Sequence, residues 1–130
     1  MISVLSAQDI DLSYNLNQTG ALRLAENTRF EAAEIKKNVS VAVLNVSGVT
    51  LLLLKGDGVG PHNTEASRRK AYTSVSTKTA SFDLMNAAAA SKDAQNLNTL
   101  PELLLLGGGV PIYMDNQLIG SLGVSGGGGS

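Results

Sequence analysis

The first third of the chain carries a helical pattern of apolar and polar positions. Small or apolar residues recur there at three- and four-residue intervals, and most charged residues fall between them. The recurring positions are Ala21, Ala25, Thr28, Ala32 and Ile35. This spacing predicts an amphipathic helix that packs on a sheet and ends near Lys36. Because Ser6-Ala7-Gln8-Asp9 resembles a capping box, we expect the helical segment to begin directly after it.

Two pairs of apolar runs predict two β-hairpins. Val39–Val46 has the alternation of a strand, with Val39, Val41 and Val43 on one face. Val49–Lys55 returns after the Ser47-Gly48 turn as a nearly continuous apolar run. A continuous run of this kind predicts that the second strand is covered on both faces. Val110–Met114 and Gln117–Val124 flank a short polar turn and predict the closing hairpin of the chain.

The segment between the hairpins is predicted to form two helices. Asn63 or Thr64 is placed to cap a helix over Glu65–Thr79, and Ser81 to cap a third over Phe82–Ala94. The predicted order is therefore α-ββ-αα-ββ. Hairpins separated by helices favour an antiparallel sheet flanked by helices over a doubly wound parallel sheet.

A run of three glycines follows four leucines near the start of the closing hairpin. Leu103–Leu106 is predicted to be either a strand or the wall of a pocket, and Gly107, Gly108 and Gly109 follow it directly. Backbone without side chains allows another group to approach very closely. Three interpretations remain open at this point: a sharp bend under a neighbouring helix, an approach route for a flat ligand, and backbone-to-backbone packing of two subunits.

Composition and charge exclude several classes of protein. The 130 residues include no cysteine, which excludes disulfides, thiolate catalysis and zinc–thiolate sites. Ten basic and eleven acidic residues give a net charge of −1, which argues against a nucleic-acid partner. We predict a cytoplasmic protein without a membrane partner, because no apolar run is long enough to span a bilayer and the N-terminus lacks the features of a signal peptide.

His62 is the single histidine of the sequence, and it limits the chemistry that the chain can perform. A serine–histidine–aspartate triad is disfavoured because the chain has no G-x-S-x-G motif. A cation site formed by His62 with Asp57 and Glu65 is conceivable, although the spacing matches no standard motif. We predict no catalytic residues and no metal site.

A haem site is one interpretation of these residues, with Leu103–Leu106 as its apolar slot. An axial ligand is available from His62 or Tyr113, and Arg69 or Lys70 is available for the propionate groups. The simpler interpretation of His62 is that it is an exposed loop residue before the second helix.

Three stretches of the chain resemble the GlcG/HbpS-like family, which includes the OrfY proteins and the C-terminal domain of PduO. Leu105–Gly127, LLGGGVPIYMDNQLIGSLGVSGG, is similar to the family's C-terminal signature. Ala66–Ala80 resembles its A-x-x-K-A-x-T-A helix and places Lys70 and Thr73 on that motif. Val41–Gly58 resembles its first hairpin, with asparagine where the family commonly has aspartate.

The resemblance implies a profilin-like α/β sandwich with a five-stranded antiparallel sheet and helices on both faces. It covers residues 1–130 as one domain and implies a homo-oligomer. Several relatives bind haem, and some have been described as haem-degrading. The family usually continues after its G-V-S-G-G motif into a final helix, and this sequence is expected to lack it.

We therefore predict a small-ligand-binding protein of bacterial metabolism, with haem or another flat cofactor as the ligand. The pocket is expected between the glycine turn and the helix that carries Lys70. The predicted cofactor-binding residues are His62, Lys70, Thr73, Gly107, Gly108, Gly109 and Tyr113. The alternative is a structural or accessory protein without a cofactor, acting beside an enzyme of glycolate or of diol/glycerol metabolism.

Overall fold

The structure, a computed structural model, describes residues 4–127 of the chain. The helices are α1 Gln18–Glu34, α2 His62–Thr77, α3 Ser81–Ala90 and α4 Lys92–Gln95. The strands are β1 Ser40–Asn45, β2 Thr50–Leu54, β3 Gly109–Met114 and β4 Gln117–Ser125. Single turns of 3-10 helix cover Ala7–Asp9 and Asn96–Thr99. The last residues of the second glycine run lie outside the described part of the chain.

The four strands form one antiparallel sheet in the order β2-β1-β4-β3. The two predicted hairpins are present, and they join through β1 and β4 at the centre of the sheet. The turn of the closing hairpin is formed by Asp115 and Asn116, which both have positive φ, at 51° and 63°. Such a pair of left-handed residues matches the right-handed twist of the strands that it connects.

The expected fifth strand is not found among residues 4–127. Leu103–Leu106, the candidate for it, lies outside the strand ladder and is held by side chains of α2. Arg69 Nη2 donates to the Leu103 carbonyl oxygen at 2.7 Å, and the Leu104 amide donates to Thr73 Oγ1 at 2.8 Å. These two side-chain bonds hold the segment against α2 without a strand partner.

Helix α1 begins later than the sequence pattern predicted. The capping-box residues Ser6 and Asp9 do interact, with the Ser6 amide 2.8 Å from Asp9 Oδ2, but they close only a 3-10 turn. The helix is capped instead by Asn17, whose Oδ1 accepts the Gly20 amide at 3.0 Å. The expectation that Ile35 belongs to the buried stripe was wrong, because the helix has ended there and the side chain is 69% exposed.

The helices cover the two faces of the sheet. Val41 and Val43 of β1 pack with the buried alanines of α1, whereas Ala42 and Leu44 pack with Ala71 and Val75 of α2. The antiparallel sheet flanked by helices is thereby confirmed. The buried alanines of α1 are Ala21, Ala25 and Ala32.

Strand β2 is less buried than its apolar sequence predicted. It forms one edge of the sheet, and Leu53 and Leu54 are 43% and 39% exposed. The expectation of cover on both faces was wrong because the sheet order, which the apolar run does not specify, places this strand at the edge.

Helices α2 and α3 also differ from the prediction at their ends. α2 begins at His62, so His62 lies in the first helical turn and neither Asn63 nor Thr64 is the cap. α3 contains Ser81 as its first residue and ends at Ala90, after which Ser91 caps the short helix α4. Because Ser81 is not used as a cap, its hydroxyl is free to bond elsewhere.

Candidate functional site

A cavity of about 340 Å3 lies between the glycine turn and helix α2. Lys70 of α2 and Phe82 of α3 contribute side chains to it, Gly107 and Gly108 form one wall, and residues 124–127 form another. We call this cavity the Lys70 pocket. The four leucines before the glycine turn do not line it, so the expectation that they form a pocket wall was wrong. Leu103 and Leu105 pack with Ala88 in a separate apolar cluster.

Gly109 allows helix α2 to lie directly on the sheet. A Cβ atom at this position would collide with the Lys70 carbonyl group, and Gly123, its partner in the β3–β4 ladder, faces the Ser67 carbonyl in the same way. Of the three interpretations of the glycine run, the bend under a neighbouring helix therefore explains Gly109. The Gly109 amide is held by Ser81 Oγ, at 2.8 Å.

Gly107 and Gly108 face the pocket. Gly108 has φ of +129°, which L side chains rarely adopt, and a Cβ atom there would lie 3.2 Å from Lys70 Nζ. A Cβ atom at Gly107 would lie 3.1 Å from the Phe82 ring. A side chain at either position would therefore take space beside Lys70, the only ionisable group among the described lining residues. Their role in ligand binding stays a prediction.

Lys70 is the chemically distinctive residue of the pocket. The residue is 7% exposed, and its Nζ lies 3.2 Å from Ser125 Oγ and 3.3 Å from the Val124 carbonyl oxygen. Ser125 Oγ in turn donates to Asn63 Oδ1 at 2.6 Å. None of the ion pairs among residues 4–127 includes Lys70. Burial lowers the pKa of the Lys70 ammonium group from its ordinary value, because the charged form loses hydration.

Thr73 lies one turn beyond Lys70 but does not line the pocket. It is fully buried, its Oγ1 donates to the Arg69 carbonyl oxygen at 2.7 Å, and it accepts the Leu104 amide. These bonds tie the leucine segment to α2. Thr73 thus holds the backbone that leads into the glycine turn, and its contact with a cofactor stays a prediction.

The two predicted axial haem ligands lie at opposite ends of α2. His62 is the exposed first residue of the helix, and the Tyr113 hydroxyl is 3.5 Å from the carbonyl oxygen of Lys78, directly after its last residue. A helix of 16 residues is about 24 Å long at about 1.5 Å per residue. Neither side chain lines the Lys70 pocket. Among residues 4–127, no group of three histidine, cysteine or acidic residues is placed to hold a metal ion.

Sequence reasoning missed Phe82 and Ser125 as pocket residues and Asn63 as the partner of Ser125. One available signal was the alternation of small residues Ser121, Gly123 and Ser125 along β4. Residues two apart share one face of a strand, so this row marks the face on which a helix packs closely. No comparable signal identifies Phe82, because its position depends on how α3 approaches the turn.

Comparison with known proteins identifies the family. A family model described as haem degrading protein HbpS-like matches residues 16–130. The chain belongs to the HbpS-like family. The resemblance drawn from the three sequence motifs is therefore confirmed.

The relatives include proteins from enteric bacteria and one structure from Streptomyces. A 15.0 kDa protein from the dhaT–dhaS intergenic region of Citrobacter freundii is 29% identical over 109 residues, covering 82% of this chain and 77% of that protein. Protein GlcG of Escherichia coli is 32% identical over 112 residues, covering 85% and 81%. The crystal structure of a double mutant of Streptomyces reticuli HbpS matches with a TM-score of 0.88 and 29% identity, covering 99% and 86%.

Within residues 4–127, no helix has both the length and the apolar character needed to cross a membrane.

Proposed function

We propose that this protein binds a small ligand in the Lys70 pocket. The observation that carries the proposal is a buried lysine without a charged partner among residues 4–127, opening on a cavity whose described walls are largely bare backbone. Natural binding sites combine an apolar cavity with a few polar groups that orient the ligand, and this pocket has that composition. Gly107 and Gly108 widen the cavity, Phe82 supplies an apolar surface, and Lys70 supplies the polar contact.

Haem is a candidate ligand because the family is described by haem degradation. The residues of the Lys70 pocket do not fit a haem ligated by His62 or Tyr113, since neither side chain reaches it. We therefore favour a ligand smaller than haem in this pocket. A haem titration tests for haem binding elsewhere on the protein.

Mass spectrometry under native conditions tests the proposal on freshly purified protein. We expect a retained small molecule that is lost in Lys70→Met and kept in Lys78→Met, which removes an exposed lysine directly after the last residue of α2. A titration with haem, followed by the Soret absorbance, tests haem as the ligand. A saturable change in absorbance that His62→Ala or Tyr113→Phe abolishes would establish that this residue ligates haem. Bare protein that also gives no saturable response to haem would contradict ligand binding.

A second candidate function is that of a homo-oligomeric accessory protein. The observation that favours it is a groove of about 410 Å3 beside α1, where Val110, Leu122 and Val124 form an apolar surface that the helix leaves partly open. Exposed apolar surface of this kind is typical of an interaction site. Val110→Asp is expected to shift the mass measured by light scattering toward the monomer. An unchanged mass would exclude this face as the contact between subunits.

A further inference from the structure

We propose that the ligand of the Lys70 pocket carries a single carboxylate, which lies against Lys70 Nζ. The inference rests on the proposed ligand-binding function and specifies the chemistry of its ligand. It follows from the hydrogen bonds of Lys70, from the charge of Lys70 and from the residues that form the pocket walls.

One N–H donor of the Lys70 ammonium group has no acceptor among the described residues. A lysine ammonium group has three N–H donors. Ser125 Oγ gives its own proton to Asn63 Oδ1, so it accepts from Lys70 Nζ, and the Val124 carbonyl oxygen accepts a second bond. Among the described residues no third acceptor is present. The remaining N–H is available to an acceptor in the cavity.

The charge of Lys70 is also unmatched. Among residues 4–127, no aspartate or glutamate lines the pocket, and the described lining holds no second titratable side chain. The nearest cation in sequence, Arg69, is directed elsewhere and donates to the Leu103 carbonyl oxygen. A buried charge is costly without a partner of opposite sign, and the lowered pKa of Lys70 reflects that cost. A bound anion would supply the missing partner.

The walls limit the size and the charge of this anion. A volume of about 340 Å3 is roughly eleven times the 30 Å3 that a water molecule occupies in the liquid, which suits a ligand of about ten heavy atoms. One cation balances one negative charge, so a monocarboxylate fits better than a phosphate dianion. The backbone amides of Gly107 and Gly108 donate to no other described residue and can reach such an anion. Phe82 faces the apolar body of the ligand.

Calorimetric titration with benzoate, acetate and inorganic phosphate tests this assignment. We expect saturable binding of benzoate, weaker binding of acetate and at least tenfold weaker binding of phosphate than of benzoate. Lys70→Met should weaken benzoate binding at least tenfold, whereas the exposed-lysine control Lys78→Met should leave it unchanged. Benzoate that binds Lys70→Met as well as the unaltered protein would overturn the inference.

A second measurement on the unaltered protein avoids dependence on the folding of a variant. Reductive methylation with formaldehyde and cyanoborohydride modifies lysine amines, and peptide mass spectrometry reports the rate at each position. Benzoate should slow modification at Lys70 severalfold and leave Lys78 unchanged. Equal rates at Lys70 with and without saturating benzoate would count against the contact.

The pH dependence supplies an independent readout. A carboxylate bound to the ammonium group favours protonated Lys70, so benzoate affinity should fall about tenfold per pH unit above the pKa of Lys70 in the free protein. Affinity that is independent of pH through this range would overturn the inference. If the purified protein retains a molecule without a carboxylate that is lost in Lys70→Met, the inference fails and the proposed function stands. If no molecule and no probe bind, both fail.

Discussion

The two faces of the sheet are packed in different ways. On the α2 face, small residues bring helix and strand backbones together: Gly109 and Gly123 face carbonyl groups of α2, and Ser121 Oγ donates to the Ala71 carbonyl oxygen at 2.6 Å. On the α1 face, the helix covers β1 and β2 but leaves side chains of β3 and β4 partly exposed, among them Val110 at 41%. One face is closed by backbone contact and the other is half open.

This difference explains where the Lys70 pocket forms. Helix α2 lies close against β3 and β4 at Gly109 and Gly123, and Lys70 extends past Gly108 toward the end of β4. The pocket therefore lies at the margin of the tight face, where the close contact ends. Tight packing fixes the position of the amine, and the neighbouring glycines leave space beside it.

Gly123→Ala should disrupt the close packing of α2 on the sheet and have the largest effect on stability. The added Cβ would collide with the Ser67 carbonyl oxygen and lie 2.8 Å from the Ala71 amide nitrogen, so backbone must move. We expect a loss of about 3 kcal/mol or more in the free energy of unfolding, measured by urea denaturation.

The half-open face supplies the control for this substitution. Val110→Ala removes apolar area from a side chain that is already 41% exposed, so we expect a loss of about 1 kcal/mol or less. Similar losses for the two variants would contradict the distinction between the faces.

Ser81→Ala should loosen the glycine turn at the margin of the tight face. Ser81 Oγ donates to the Leu106 carbonyl oxygen and accepts the Gly109 amide, and the serine is fully buried. Leaving these groups unsatisfied should cost about 1–3 kcal/mol in urea denaturation, with faster amide exchange at Gly109. Ser76→Ala, on the exposed side of α2, should stay within about 0.5 kcal/mol of the unaltered protein. A loss in Ser81→Ala no larger than in this control would show that the turn is held by other contacts.

Lys70→Met should alter how stability depends on pH. Since the folded pKa of Lys70 lies below its unfolded value, the unfolded chain binds more protons at alkaline pH between the two values. The contribution of Lys70 to stability therefore rises with pH through that window, and it is unfavourable at lower pH. We expect Lys70→Met to remove this rise in urea denaturation measured from pH 7 to 11. An identical slope in the variant would show that the amine is well solvated.

Arg68→Ala should have the smallest effect, because the interaction that it removes lies at the surface. Arg68 pairs with Glu65 and with Glu102, whose side chains are more than half exposed. The hydrogen bond from Arg68 holds the pKa of the Glu65 carboxyl below its ordinary value, so this contribution is lost as pH falls through that lowered pKa. We expect less than about 1 kcal/mol in stability and a rise of the Glu65 pKa, measured by carboxyl NMR titration. An unchanged Glu65 pKa would mean that the pair does not persist in solution.

Apolar spacing and turn residues predicted which helices and strands form better than they predicted where those helices and strands begin and end. The two hairpins and the helical regions between them follow from apolar spacing, and the left-handed Asp115-Asn116 turn follows from residues that tolerate positive φ. The start of α1 was missed because Ser6–Asp9 satisfies the local capping rule without a helix to continue it. The exposed state of β2 was missed because its apolar run does not reveal which strand lies at an edge.

The amino-acid sequence by itself determined the family, the order of helices and strands, and the presence of Lys70 on the second long helix. Only the tertiary structure decided that Lys70 meets Ser125, 55 residues away, and that His62 and Tyr113 lie at opposite ends of α2. The physical reason is that spacing along a chain fixes which face of a helix or strand a residue occupies. Which residues meet across those faces depends on the order of the strands and on the distance at which α2 packs, and that distance is set by Gly109 and Gly123.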